Sequence, residues 1–204
     1  GLYNPETDGE FNFSKAYTRD DDRDRTYNDP RVWVMQKRLN PSLEQNPDAG
    51  RSFPVFLTPE RKGTIEDAKA LMRDHFAGTE HDPYGHGLRG DEPWRPISVF
   101  RTYEAHVMQV RPWLPKEIGQ VIYVALGMAD LSVFIPLYAG LTQVPASWSK
   151  GTDQCDTESA YWKFRRLQTL AMTDYPKLAP IVHEAFAAFE AETSAAQQRM
   201  EEEY

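Results

Sequence analysis

Few residues in this chain have the type and spacing to do chemistry, and they are scattered. The single cysteine, Cys155, lies in Thr152-Asp153-Gln154-Cys155-Asp156-Thr157. A nucleophilic thiol needs its pKa lowered by a cation, a protonated histidine or a helix N-terminus. Asp153 and Asp156 act the other way, so Cys155 reads as an ordinary cysteine ahead of a helix. His75, His81 and His86 lie close together, with Glu80 and Asp82 among them. These are zinc-binding types, but the spacing matches neither a His-Glu-x-x-His helix nor a common finger. A solvated loop is the plainer reading, and no metal is expected. Glu104 and His106 alternate on one face of a strand-like run, with Arg101 on the other. Such residues more often bridge a sheet to the next layer than act as catalysts. Arg31 is different. It falls in the first turn of a helix opened by Asp29-Pro30, where the helix dipole disfavours a cation. A cation placed there answers an anion. Chemistry alone nominates Asp20, Asp21, Asp22 or Asp24. No nucleophile elbow, phosphate-binding loop or dinucleotide fingerprint is present.

The elements that must position these residues follow from pattern and punctuation. Asp29 at the N-cap and Pro30 at the first position start a helix. Val32, Met35 and Leu39 continue it at helical spacing, and Asn40-Pro41 ends it. Thr64 to Phe76 is the clearest amphipathic helix, with Thr64 and Asp67 in capping-box positions and Gly78 as the stop. Thr79 to Pro96 reads as an exposed loop. Ile97 to Arg111, Gln120 to Leu126 and Leu131 to Tyr138 read as three strands with short connections, an antiparallel meander. The second is apolar throughout, which predicts burial on both faces. Asp156 to Thr173 and Pro176 to Glu203 carry helical stripes. The last turns polar after Ala191, which predicts fraying or projection. Phe11 and Phe13 alternate like a short strand in a polar leader. The fold class is α+β in one unit, 1–204. It divides into a polar leading segment (1–28), a helix-helix-sheet unit (29–140) and a helical carboxy-terminal segment (141–204).

Composition narrows the function classes. One cysteine excludes an internal disulfide. A formal charge of −8 argues against a broad nucleic-acid surface. No apolar run approaches the ~18 residues of a membrane span, and no basic-then-apolar leader appears. A cytoplasmic location is favoured and no membrane partner is expected. The apolar fraction of 40% is enough for a packed core.

Several segments, in order along nearly the whole chain, resemble the cysteine dipeptidases of the dipeptidase A type, in the N-terminal-nucleophile hydrolase superfamily. They are Phe11-Asn12-Phe13-Ser14-Lys15-Ala16-Tyr17, Arg31-Val32-Trp33, and the most distinctive, Leu71-Met72-Arg73-Asp74-His75-Phe76-Ala77-Gly78-Thr79-Glu80-His81-Asp82. Arg95-Pro96-Ile97-Ser98-Val99-Phe100-Arg101-Thr102, Leu114-Pro115-Lys116-Glu117-Ile118-Gly119 and Phe134-Ile135-Pro136-Leu137-Tyr138 complete the set.

The resemblance implies an αββα sandwich and a cysteine-type dipeptidase without a cofactor. In that family an amino-terminal cysteine attacks the scissile carbonyl, its own α-amino group serves as base, and an acyl-enzyme forms. This chain begins with Gly1, and Cys155 has no α-amino group beside it. The expectation is therefore a carboxy-terminal portion, inactive alone, with the nucleophile upstream. Its partners would be a dipeptide and the missing amino-terminal part, with a homo-oligomer allowed. Related penicillin V acylases and bile-salt hydrolases carry a catalytic arginine at a helix start. By order of elements that place falls on Arg31. The alternatives are an amidase of that acylase type, a non-catalytic interaction domain, and a metal hydrolase using the His75–His86 loop.

Overall fold

A computed structural model of the chain describes residues 4, 6, 7, 9, 11, 17, 22–47, 53–85 and 94–204. Phe11 is exposed and outside any regular element, and Phe13 lies outside the described residues, so the leading-strand expectation rests on Phe11 alone. The mixed-charge leader ends in a short helical turn, α1 (Asp24–Tyr27), rather than an open loop. α2 (Asp29–Leu39) follows at once. The N-cap is Asn28, already helical at φ −106° and ψ −48°, so Asp29 and Pro30 take the first helical positions. The cap falls one residue earlier than expected because α1 delivers the chain in helical conformation. Val34 faces inward and is buried, whereas Val32 and Met35 are exposed on the opposite side.

α3 (Ile65–Met72) has the expected capping box. Thr64 Oγ1 accepts from Asp67 N (3.1 Å), and Asp67 Oδ2 accepts from Thr64 N (2.8 Å). Arg61 grips the same carboxylate at 2.5 and 2.6 Å, which holds its pKa far below the usual range. The helix ends four residues before Phe76. There Asp74 Oδ1 accepts from Phe76 N (2.9 Å) and Phe76 turns into the left-handed region at φ +62°. A bulky residue holds that conformation only where its surroundings enforce it. The Phe76 ring is buried, edge-on to Trp94 with centroids 5.4 Å apart.

The sheet is an antiparallel meander in the order β1 (Glu104–Val110), β2 (Gln120–Leu126), β3 (Ile135–Tyr138). A single helical turn, α4 (Lys116–Gly119), links the first two. Ala105 pairs with Ala125 and Val121 with Tyr138. β1 starts seven residues later than expected. Residues 97–103 direct their backbone elsewhere: Ser98 N donates to Asp74 O (2.9 Å) and Phe100 N to Tyr84 Oη (2.9 Å). β3 starts at Ile135 because Ala129–Leu131 form a buried 3-10 turn. Pro136 sits on this edge strand, where a missing N–H is tolerated. One sheet face, with Ala105, Val121, Tyr123 and Ala125, packs on Phe134 and on Ile65 and Met72 of α3. The other face carries Met108 at 71% and Val110 at 66% exposure, with Ile122 and Val124 half-buried. β2 is thus fully buried on alternate residues only, since nothing among the described residues covers the second face.

α5 (Ala160–Ala171) and α6 (Tyr175–Glu203) close the structure. The polar end of α6 does not fray. Glu190 Oε1 accepts from Arg73 Nη2 (2.5 Å) and Phe134 N (2.7 Å). Glu201 accepts from both Arg111 amino groups (2.6 and 2.7 Å) and from Tyr138, which holds its pKa down at about 2. The residues that read as solvated are the clasp between helix and sheet. Gln168 of α5, fully buried, donates to Leu126 O (2.9 Å) and accepts from Met128 N (3.1 Å). Gly127, at φ +77°, makes this possible: a Cβ there would meet Gln168 Oε1 at 2.3 Å. Among the described residues no helix is long and apolar enough to cross a membrane. The architecture is α+β, helices with one three-stranded antiparallel sheet.

Candidate active-site residues

Arg31 projects from the first turn of α2 and is held by its own turn. Nε donates to Tyr27 O (2.7 Å) and Nη2 to Asn28 Oδ1 (2.5 Å). Neither Asp22 nor Asp24 pairs with it. Asp24 instead accepts from Asn28 Nδ2 (2.5 Å), while Asp20 and Asp21 lie outside the described residues. The ion pair that chemistry alone nominated is thus absent among the described residues. What stands near Arg31 is a second cation. Arg95 N donates to Thr26 O (2.7 Å), and its guanidinium lies 4.9 Å from the centroid of the Tyr27 ring. Burial first, then the Arg95 charge, push the Arg31 pKa below its ordinary value. Arg95 Nε is buried and makes no hydrogen bond. Behind Arg95 stands an aromatic wall. Trp94 is buried, edge-on to Trp33 (5.8 Å) and Phe76 (5.4 Å), with His81 stacked on it at 3.5 Å.

A second set of titratable groups, all buried except the half-exposed His183, lies between α6 and the turn after α3. His75 Nδ1 meets Asp82 Oδ1 (2.9 Å) and its Nε2 meets Tyr175 Oη (2.9 Å). Tyr175 donates to Asp130 Oδ2 (2.5 Å), which also meets His183 Nε2 (3.0 Å). Burial raises the Asp130 pKa, but the bond from His183, the charge of His75 and the bond from Tyr175 together outweigh it, leaving the carboxyl below its ordinary value. The bond to Asp130 raises the His183 pKa. Burial pushes the Tyr84 phenol up to about 12. This hub positions the segment that carries Trp94 and Arg95. Tyr84 donates to Ser98 O (3.1 Å) and Asp82 Oδ1 accepts from Tyr84 N (2.9 Å). A cleft of about 240 Å³ opens beside His183, lined by Arg73, Asp130, Ser132 and Glu190.

The other expected candidates are not brought together. Cys155 is exposed, beside a groove of about 480 Å³ formed by Trp162, Arg165, Arg166 and Leu170 of α5. Glu104 and His106 bond to each other (3.0 Å) on the uncovered sheet face, and Arg101 is an exposed loop residue. The histidines of the 75–86 stretch diverge: His75 enters the hub, His81 stacks on Trp94, and His86 lies outside the described residues. Among the described residues no group of three or more His, Cys, Asp or Glu is arranged to hold a metal ion. The loop expected to be exposed at 79–96 instead buries Asp82, Tyr84 and Trp94.

Sequence reasoning missed Arg95, Asp130, Tyr175 and His183. The one local signal was the eight-residue spacing of Tyr175 and His183, which places both on one face of α6.

The sequence profile of peptidase family C69 matches residues 1–187. The chain is 50% identical over 151 residues to a probable dipeptidase of Salmonella dublin, covering 74% of this chain and 34% of the relative. It is 34% identical over 169 residues to a probable dipeptidase A of Streptococcus pyogenes serotype M3 (strain SSI-1), covering 81% of this chain and 36% of the relative. A dipeptidase of Bifidobacterium longum (strain NCC 2705) is 34% identical over 171 residues, covering 78% of this chain and 32% of the relative. The chain spans about a third of the length of these curated relatives. With the family match running over nearly all of it, the chain belongs to peptidase family C69.

Proposed function

We propose that this chain is the carboxy-terminal part of a cysteine-type dipeptidase. The thiolate nucleophile stands outside the chain, and Arg31 stands beside it. The carrying observation is the C69 match over residues 1–187, with relatives named dipeptidase. The state of Arg31 supports its assigned role. Nε and Nη2 are anchored to Tyr27 and Asn28, which fixes the guanidinium, and Nη1 has no partner among the described residues. A fixed, partly desolvated cation stabilises a thiolate and the charge that develops on an attacked carbonyl oxygen.

The reaction is two acyl transfers. The thiolate adds to the scissile carbonyl carbon and the amide C–N bond breaks. The leaving amine takes a proton from the amino-terminal α-ammonium group, and the first residue of the dipeptide remains as a thioester. Water, deprotonated by the same amino group, then hydrolyses the thioester and restores the thiolate. The uncovered sheet face, with Met108 and Val110 at its open end, would pack against the additional chain that the relatives possess, giving the two-sheet sandwich. An exposed apolar face of this kind marks a contact surface.

Hydrolysis assays on the full-length protein test this reading. Unblocked dipeptides are cleaved, iodoacetamide abolishes cleavage, Cys155→Ala leaves it intact, and the 204-residue chain alone cleaves nothing. An inactive Cys155→Ala variant that is still folded would overturn the placement of the nucleophile. Cleavage confined to acylated amides would point to the acylase-type amidase instead.

A further inference from the structure

Among the described residues the partly buried arginines fall into two groups. Arg73 and Arg111 are each paired with a glutamate, Glu190 and Glu201, and Arg165 donates to the Phe100 carbonyl. Arg31 and Arg95 have no carboxylate among the described residues, and they stand on the same residue: one on the Tyr27 carbonyl, the other against its ring. Arg95 is the more conspicuous. Its Nε is buried without an acceptor; Arg111 Nε is too, but the Arg111 amino groups are spent on Glu201, whereas no carboxylate meets Arg95 among the described residues. A buried donor without a partner is costly and rare in folded proteins. Two cations sharing a partly desolvated place repel each other, and an anion between them relieves that repulsion.

We propose that Arg95, with Arg31 beside it, is a carboxylate-binding subsite that takes the free terminal carboxylate of the substrate. The inference rests on the dipeptidase reading and deepens it. A free carboxylate is the feature that distinguishes an unblocked dipeptide from an acylated amide or from the interior of a longer peptide. Guanidinium groups match a carboxylate in geometry as well as charge, through paired N–H donors. Trp94 fixes the backbone next to Arg95, so the site is preorganised by the same wall that carries Phe76 and His81. Arg95 is then a specificity residue, and Arg31 serves both the carboxylate and the thiolate.

The test uses the full-length protein and two uncleavable probes. One is the reduced-amide analogue of Ala-Ala, which keeps the terminal carboxylate and has no scissile carbonyl. The other is the same analogue with its terminus amidated. Calorimetry on the wild type should show tighter binding of the acid. In Arg95→Gln the acid should weaken roughly 10- to 100-fold, the size of one charge-assisted hydrogen bond. The amide should be unchanged, which also reports that the variant is folded. Arg95→Lys should retain part of the preference. Equal weakening of both probes, or of neither, overturns the subsite. If Arg95→Gln binds neither because it does not fold, Arg95→Lys decides: a retained preference for the acid supports the subsite, and a lost one overturns it. Hydrolysis of Ala-Ala itself is scored separately. Failure to cleave it overturns the dipeptidase reading. Cleavage with undiminished acid preference in Arg95→Gln overturns only the subsite.

Discussion

The two clusters of charged residues in this protein contrast in how they are satisfied. In the hub, each carboxylate faces a histidine or a phenol: Asp82 meets His75, and Asp130 meets Tyr175 and His183. At the start of α2, Arg31 and Arg95 share Tyr27 and no carboxylate answers them among the described residues. The first arrangement is closed, and its chemistry is spent within the fold. It joins α6 to the turn after α3 and to the 3-10 turn at Asp130. The second has no carboxylate of its own among the described residues, and the proposed subsite rests on that difference. Burial and a cluster of titratable types do not by themselves distinguish a site from a strut. The state of the partners does.

The largest expected effect breaks the closed cluster. Asp130→Ala removes the acceptor shared by Tyr175 and His183 and leaves buried polar groups without a partner. Loss of one member of a buried charged network costs about 3–5 kcal/mol. Urea unfolding of the full-length protein should show that loss as a lower midpoint. A midpoint within error of the wild type would mean that the hub is not structural. Arg31→Gln should behave in the opposite way. Its bonds are local, to Tyr27 and Asn28, so the midpoint should barely move. The kcat/KM for dipeptides should fall roughly 10²- to 10³-fold, the usual effect of removing one group that stabilises developing charge. A large drop in stability with intact kcat/KM would place Arg31 with the struts and erase the contrast.

The two clusters also differ in how much of them could be read from sequence. The place of Arg31 in a first helical turn was legible because Asp29-Pro30 marks the helix start, but the aspartate partner that the dipole argument nominated is not found among the described residues. That start signal is local, as is the Thr64–Asp67 capping box, three residues apart. β2 was legible to the residue because its apolar run is bounded by Gly119 and Gly127. The hub was not legible. His75 meets Tyr175 across 100 residues and Asp130 meets His183 across 53, and no periodicity encodes such pairs. The start of β1 was misplaced for a related reason. Ile97, Val99 and Phe100 have strand propensity, but Asp74 and Tyr84 claim the backbone bonds of that stretch. The polar tail of α6 looked solvated because Glu190 and Glu201 find Arg73 and Arg111 only in three dimensions. Arg95 shows the limit most clearly. That its Nε is buried without an acceptor, with no carboxylate beside it among the described residues, depends on everything around it and leaves no mark in sequence.

The smallest expected effect sharpens the contrast through pH. His183 has a raised pKa because Asp130 accepts its bond. The folded state therefore binds this proton more tightly than the unfolded chain does. The resulting stability is fully present below the ordinary histidine value of about 6.5 and is lost as pH rises through the raised one. Asp130 has the opposite sign. Its carboxyl lies below its ordinary value, so its contribution is present above that value and is lost as pH falls through the depressed one. The urea midpoint should therefore decline on both sides of a plateau in mildly acidic solution. The side chain of His183 is 42% exposed, so solvent screens the pair and the alkaline decline should be shallow. His183→Gln keeps a donor for Asp130 but cannot titrate, and it should flatten the alkaline limb while leaving the acid limb in place. An unchanged alkaline limb in this variant would assign the pH dependence elsewhere.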